Sequence, residues 1–285
     1  MILIDYSGIA ISNIFAQKVT VSEDMVRHMI LNSLRMYNLK YRKEYGQMVL
    51  ACDGGSWRRE IFPQYKANRK TSRDASGLDW KEFFRILGMV RDEVKEHLPY
   101  KVIHIQNVEA DDVIGTLTEK TQNFGEHEPV MIISADKDFI QLQQYPNVRQ
   151  FSPMTKAFVK ENKPFKYLYE HIMRGDSGDG IPNVLSPDNT FVDKIRQKPI
   201  STKKIEQWIA SYDNLDKVMD VATYRNFQRI RALIDLSKVP HDKKALIINT
   251  FESVKPNSNV LNYLISKRCT QLIECAEEFN NTLWN

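Results

Sequence analysis

The chain has 285 residues, is 42% hydrophobic, and carries 40 basic against 36 acidic residues for a net charge of +4. It holds no run of about 18 apolar residues, and Asp5 cuts the first apolar stretch, which excludes a membrane span and a signal peptide and makes the cytoplasm the expected compartment. Cys52, Cys269 and Cys275 are too few and too scattered for a disulfide framework or a zinc cluster, and Cys52 is expected to pack as a small hydrophobe.

Short apolar runs alternate with longer segments of helical period. Ile2 to Ile4, Met48 to Cys52, Val102 to Ile105 and Val130 to Ile133 are brief and mostly β-branched, and they predict buried strands. Between them, Ser22 predicts the N-cap of a helix reaching Tyr45, with Met25, Met29, Leu31, Leu34 and Leu39 on its apolar side and Gly46 as its stop. Trp80 to His97 is a second helix, closed by Leu98 and Pro99, and Glu109 to about Asn123 a third, ended by Gly125. Strands alternating with such helices predict an α/β domain with a central, mostly parallel sheet wrapped by helices. Beyond Asp179, a stretch rich in Pro and polar residues leads into helical patterns at Lys203 to Tyr212, Tyr224 to Ser237 and Asn259 to Asn280, predicting a helical C-terminal lobe.

In such sheets ligands bind outside the carboxyl ends of the strands. Asp5 follows the first strand, Asp53 the second, and Asp136 and Asp138 the fourth, while Glu109, Asp111 and Asp112 sit where the third strand meets the next helix. One Asp after a strand is an ordinary turn or cap residue, but four strand ends pointing carboxylates at one edge are hard to explain as caps. Asp176 and Asp179 add a glycine-bearing turn. Oxygen-only ligands suit hard cations such as Mg²⁺ or Mn²⁺, and two ions about 4 Å apart can activate a water and stabilise the departing oxygen of a phosphodiester. A calcium loop starting at Asp176 fails, because its twelfth position is Pro187.

The opposite charge collects from Trp57 to Arg73, where Arg58, Arg59, Lys66, Arg69, Lys70 and Arg73 face the single acid Glu60, with Trp57, Phe62 and Tyr65 interleaved. That composition fits either a solvated face or a segment that grips phosphates and stacks on bases. Gly-x-x-x-x-Gly-Lys-Ser/Thr, Gly-x-Ser-x-Gly and His-Glu-x-x-His are all missing, which disfavours a P-loop enzyme, a serine hydrolase and a zinc protease. The first strand ends in Asp5-Tyr6-Ser7 where an aspartyl phosphatase would carry Asp-x-Asp.

Leu3-Ile4-Asp5, Cys52-Asp53, Tyr65-Lys66-Ala67-Asn68-Arg69, Glu109-Ala110-Asp111-Asp112, Ser134-Ala135-Asp136-Lys137-Asp138-Phe139 and Gly175-Asp176-Ser177-Gly178-Asp179-Gly180-Ile181-Pro182, in this order, resemble the structure-specific 5′ nucleases. That family comprises flap endonucleases and the 5′ nuclease domain of bacterial DNA polymerase I. More narrowly, Trp57-Arg58-Arg59, Tyr145-Pro146-Asn147-Val148 and Met25-Val26-Arg27-His28 look like its branch from T-even bacteriophages, whose members act as ribonucleases H that remove RNA primers from lagging-strand fragments.

The resemblance implies a PIN-like 5′ nuclease domain over 1-180, with a basic arch near 57-80, and a helical DNA-binding lobe over 181-285. It makes Asp5, Asp53, Glu109, Asp111, Asp112 and Asp136 ligands of one Mg²⁺ or its water shell, and Asp138, Asp176 and Asp179 ligands of a second, with Mn²⁺ able to substitute. Asp111 and Asp136 are the expected catalytic acids; Lys66 and Arg69 should contact the scissile phosphate, Arg58 and Arg59 align the strand, Lys70 bind nucleic acid, and Tyr65 stack on a base. After Pro182 the family's glycine-rich turn is replaced by Val184-Leu185-Ser186-Pro187, leaving Lys194, Arg196, Lys198, Lys203 and Lys204 as candidate duplex contacts.

The implied activity is 5′-to-3′ exonuclease on RNA/DNA and DNA/DNA duplexes and endonuclease on flaps of branched or nicked DNA, by in-line attack of an activated water with no protein nucleophile. The rivals are a non-catalytic branched-DNA-binding protein on the same fold and a small RNA-processing nuclease of related fold. A monomer is expected, in the cytoplasm of a bacterial host. The segment Cys275 to Asn285, with Phe279, Leu283 and Trp284, is open between docking a single-strand-binding protein and packing as an ordinary terminal helix. With the first strand beginning at Ile2, sliding-clamp binding through the N-terminus is not expected.

Overall fold

The computed structural model describes residues 1–17, 21–122 and 127–280, with side chains 15–17 and 70–72 left aside. Six strands form one sheet: β1 Ile2–Asp5, β2 Met48–Cys52, β3 Lys101–His104, β4 Val130–Ile133, β5 Val148–Ser152 and β6 Ala157–Val159. Their order is β3-β2-β1-β4-β5-β6, parallel except for the antiparallel β5–β6 pair at the edge. The helices, in chain order, are α1 Tyr6–Gln17, α2 Glu23–Tyr45, α3 Arg58–Ile61, α4 Arg69–Asp74, α5 Trp80–His97, α6 Ala110–Lys120 and α7 Pro164–Arg174. They continue with α8 Thr202–Ala210, α9 Leu215–Val218, α10 Val221–Ile234, α11 His241–Ser253, α12 Val260–Ser266 and α13 Thr270–Ile273. No helix of the described residues is long and apolar enough to cross a membrane.

The described chain packs as two compact units that interleave in sequence. The first holds Met1–Gly55, Asp79–Lys160 and His241–Asn285; the second holds Ser56–Leu78 and Glu161–Pro240. A linear cut at 180/181 therefore does not follow the packing.

In the first unit, Ile2, Leu3, Ile4 and the whole of β2 are buried, as strands sandwiched between helices require. Helix α2 covers β1 and β4, α5 covers β3, and α6 covers β1 and β2. The Ser22 Oγ accepts from the Met25 N–H, and Gly46 closes α2 with φ +73°. The buried stripe of α2 runs through Val26, Ile30, Leu34, Tyr37, Tyr41 and Tyr45, whereas Leu39 is exposed, two positions (about 200°) round the helix from Tyr37. Helix α6 matches its predicted start; its expected end at Asn123 and Gly125 lies outside the described residues.

The C-terminal stretch differs from the single helix predicted over Asn259 to Asn280. It breaks into α12, α13 and a 3-10 turn, Ala276–Phe279, because Arg268 takes a left-handed conformation at φ +53°. Phe279 is fully buried against α2, whose Asn38 Nδ2 donates to the carbonyls of Glu278 (2.9 Å) and Asn280 (3.2 Å). Ordinary terminal packing is therefore what Phe279 does; Leu283 and Trp284 lie outside the described residues.

The second unit has its own core: Phe62, Tyr65, Tyr169, Ile172, Trp208 and Phe227, with aliphatics from α7, α8 and α10. Where a glycine-rich turn was absent from the sequence, side chains brace the loop instead. Asn183 Oδ1 accepts from Leu185 N–H and Ser186 Oγ, Asn183 Nδ2 donates to Lys198 O, and Asn226 Nδ2 donates to Val184 O. Burial of Asn183 and Ser186 is thereby satisfied.

Candidate active site

The register of the sheet decides which acids share an edge. Asp5 pairs with Ala51 and Ile4 with Ile133, so Asp53 lies two residues, and Asp136 three, past neighbouring strand positions at one C-terminal edge. His104 pairs with Cys52, so β3 ends at the same edge. Cys52 is buried, and burial pushes its thiol far above the ordinary range, so it packs as an inert hydrophobe.

Asp5, Asp53, Glu109, Asp112 and Asp136 are each held by a local device. Asp5 Oδ1 accepts from Gly8 N–H (2.9 Å) in the first turn of α1, and its Oδ2 accepts from the Ser134 hydroxyl (2.7 Å). Ser134 Oγ in turn accepts from Asp136 N–H (3.0 Å), and Asp136 Oδ1 accepts from Asp138 N–H (2.9 Å) at the start of the 3-10 segment Lys137–Gln144. One serine thus links the ends of β1 and β4. Gln150, buried on β5, donates from Nε2 to the carbonyls of Ser134 (3.1 Å) and Asp136 (2.6 Å).

Asp53 Oδ1 accepts from Ala110 N–H (3.1 Å), which ties β2 to the N-terminus of α6. Gly54 allows this approach: a Cβ there would lie 1.9 Å from Ile105 O, while its N–H donates to Val108 O (2.9 Å). Glu109 and Asp112 close a reciprocal capping box, and Asp112 Oδ2 accepts from Glu109 N–H (3.0 Å). Asp112 is fully buried, and one oxygen of its carboxylate caps α6. Asp111, between them, is partly exposed.

In the second unit the basic segment and the Asp176–Gly180 turn meet. Asp179 accepts from the Tyr65 hydroxyl (3.0 Å) and from Arg69 Nη2 (2.5 Å), with Lys66 Nζ at 3.6 Å. Asp176 Oδ1 accepts from Gly178 N–H (2.7 Å) and Asp179 N–H (3.2 Å), and its Oδ2 lies 3.7 Å from His171 Nε2. Tyr65 is 3% exposed, so its ring belongs to the core and is not offered to a base. Arg58 is 2% exposed, stacks on Trp57 at 4.7 Å, and donates from Nε to Leu233 O (2.7 Å) at the end of α10, so it holds the fold and does not align a strand. Arg59, Lys194, Arg196, Lys198, Lys203 and Lys204 are exposed, whereas the Lys70 side chain lies outside the described residues.

The acids of the first unit form an oxygen-only donor set at one sheet edge, the chemistry that hard divalent cations need. Residues 1–169 match the 5′-3′ exonuclease family, N-terminal resolvase-like domain, and residues 166–279 match the family described as T4 RNase H, C terminal. The chain belongs to the 5′-3′ exonuclease family. Ribonuclease H of Enterobacteria phage T4 is 33% identical over 97% of this chain and 95% of its own length. Among solved structures, T5 5′-exonuclease with bound zinc superposes with a TM-score of 0.59 at 16% identity, covering 89% of this chain and 98% of its own. The T5 D15 flap endonuclease in complex with DNA and metal ions gives 0.56 at 18%, covering 97% and 98%. At that identity the structural likeness carries the α/β fold; the family membership makes the chain a nuclease, a phosphodiesterase.

Ser134 stood in the sequence only as a member of the motif Ser134-Ala135-Asp136-Lys137-Asp138-Phe139, and Gly8, Gly54 and Gln150 were not among the expected site residues. Of the latter three, only Gln150 left a signal there, as an amide inside the otherwise strand-like Val148 to Ser152.

Proposed function

We propose that the chain is a Mg²⁺-dependent 5′ nuclease that shortens RNA and DNA strands from the 5′ end of a duplex, cuts flaps near their junction, and removes RNA primers during phage-type replication in a bacterial cytoplasm. The observation that carries this reading is the set of acids at one sheet edge, of which Asp5, Asp53 and Asp136 are oriented by backbone or hydroxyl donors. Asp5, Asp53, Glu109, Asp111 and Asp136 are proposed to hold one ion directly or through water, with Asp112 orienting Glu109. Asp138 and Asp176 are proposed for a second, on the strength of their motifs alone. Bound divalent ions supply Lewis acidity toward the phosphodiester oxygens and lower the pKa of water.

The protein's own residues do the rest. Ser134 and Gly8 fix both oxygens of Asp5, so its remaining lone pairs keep one direction. Lys66 and Arg69 are proposed to meet the phosphate and stabilise its developing charge. Arg59 and the exposed Lys194, Lys203 and Lys204 are proposed to bind strand and duplex phosphates.

The test is cleavage of a 3′-labelled strand in nicked duplexes bearing a 5′ RNA primer or a DNA flap, with Mg²⁺ or EDTA, comparing wild type with Asp111→Asn. Metal-dependent products near the junction that vanish in the variant support the reading. Undiminished turnover in Asp111→Asn refutes the metal assignment, and binding without cutting in any metal favours a junction-binding protein.

A further inference from the structure

Asp179 belongs by motif with the metal acids, yet its surroundings are those of an anchor. Its side chain is 12% exposed and meets one hydroxyl and two cations, all from the single sequence Tyr65-Lys66-Ala67-Asn68-Arg69. The backbone repeats the attachment. Lys66 N–H donates to Asp179 O at 2.7 Å, and Asn68 Nδ2 donates to Ser177 O at 2.7 Å. Lys66 itself has φ +58°, a conformation that few non-glycine residues adopt and that neighbours must maintain. Gly180, at φ +71°, brings the turn so close that a Cβ there would lie 3.2 Å from Gln64 O. The acid-bearing turn and the base of the basic segment are thus one built piece, entirely within the second unit.

Each oxygen of Asp179 already accepts a hydrogen bond from this segment, Oδ2 from the Tyr65 hydroxyl and Oδ1 from Arg69, with Lys66 Nζ beside Oδ2. We propose that Asp179 is a positioning residue of the basic segment: it fixes where Lys66 and Arg69 stand, and acts on the phosphate through them. This rests on the nuclease reading above and reassigns one of its acids.

The experiment is limited trypsin digestion of the full chain in EDTA, with cleavage sites mapped by mass, for wild type, Asp179→Ala, Asp179→Asn and Asp111→Asn. Asp179→Ala is expected to speed cleavage after Lys66 and Arg69 by about tenfold, the effect of losing roughly one charge-assisted hydrogen bond. Asp179→Asn, which keeps an oxygen for the Tyr65 hydroxyl, should fall between, and Asp111→Asn should match wild type. In single-turnover cleavage, Asp179→Ala should lower the rate at saturating Mg²⁺ without moving the Mg²⁺ midpoint, and adding Asp179→Ala to Lys66→Ala/Arg69→Ala should slow cleavage no further. Wild-type digestion with a raised Mg²⁺ midpoint would make Asp179 a ligand and overturn the proposal. Acceleration spread over tryptic sites of the whole chain in both Asp179 variants would also overturn it, as general unfolding. Either result leaves the nuclease reading to Asp111→Asn, so the two failures are separable.

Discussion

Replacing Gly8 with Ala should separate stability from activity. A Cβ at this position would lie 2.3 Å from Asp5 Oδ2, 2.7 Å from Cγ and 3.0 Å from Oδ1. Ordinary contact begins near 3.4 Å, so the carboxylate must retreat by about 1 Å and give up the geometry set by Gly8 N–H and Ser134 Oγ. The crowding costs about 1–3 kcal/mol, offset by about 1 kcal/mol because Gly8 lies within α1, where alanine is the better helix former. Against a total stability of about 5–15 kcal/mol the variant stays folded. A catalytic group displaced by about 1 Å, however, can cost about 100-fold in rate, or about 2.7 kcal/mol of barrier. Single-turnover cleavage of a flap substrate across a Mg²⁺ titration, alongside a thermal melt, reads both quantities. Wild-type cleavage by Gly8→Ala would refute the assignment of Asp5 to the reacting centre, and a collapsed melting curve would refute the stability reasoning.

Other outcomes follow from the same contacts. Ser134→Ala should slow cleavage and raise the Mg²⁺ requirement while costing about 1 kcal/mol of stability, since it unties Asp5 from Asp136 N–H; an unchanged Mg²⁺ curve would remove Ser134 from the site. Lys66→Ala should cleave slowly with an unaltered Mg²⁺ midpoint, and a wild-type single-turnover rate would exclude it from catalysis. Glu93, buried on α5, accepts from Arg27, Tyr263 and Lys267, and Glu93→Ala should cost about 3 kcal/mol by denaturant unfolding because it leaves the buried Arg27 with only the exposed Asp24 as its partner. Burial alone would raise the Glu93 carboxyl, but its hydrogen bonds from Arg27, Lys267 and Tyr263 outweigh that and hold it below the ordinary carboxylate value of 4.5. A depressed folded pKa means that this stabilisation is full above pH 4.5 and fades as pH falls through the folded value, so wild type and Glu93→Gln should converge in strong acid. A stability gap that stays constant down to pH 2 would contradict this.

The strand and helix pattern was legible because it depends on local chemistry. Ile2 to Ile4 and Met48 to Cys52 are short, wholly apolar runs that fit a buried parallel sheet, and Ser22 and Gly46 bracket α2 by capping alone. The acids of the first unit were legible for the same reason: they cluster after strand ends, and parallel strands must end on one side. Leu39 and the break at Arg268 were misread, because apolar content does not fix which helix face finds a partner or where a chain turns left-handed.

The sequence by itself determined the family, the α/β sheet, and the kind of chemistry its acids can perform, since residue types in ordered strand-end motifs carry that information. Tertiary structure decided the rest. Tyr65 and Phe62, which read as a stacking platform among cations, are core of the second unit; Arg58 holds α10; and Asp179 faces Tyr65, Lys66 and Arg69, more than a hundred residues away in the chain. Composition cannot distinguish an aromatic that waits for a base from one that fills a core, or an acid that awaits a metal from one that holds an arginine. That difference lies in which distant segment supplies the neighbouring atoms, and only the folded chain specifies it.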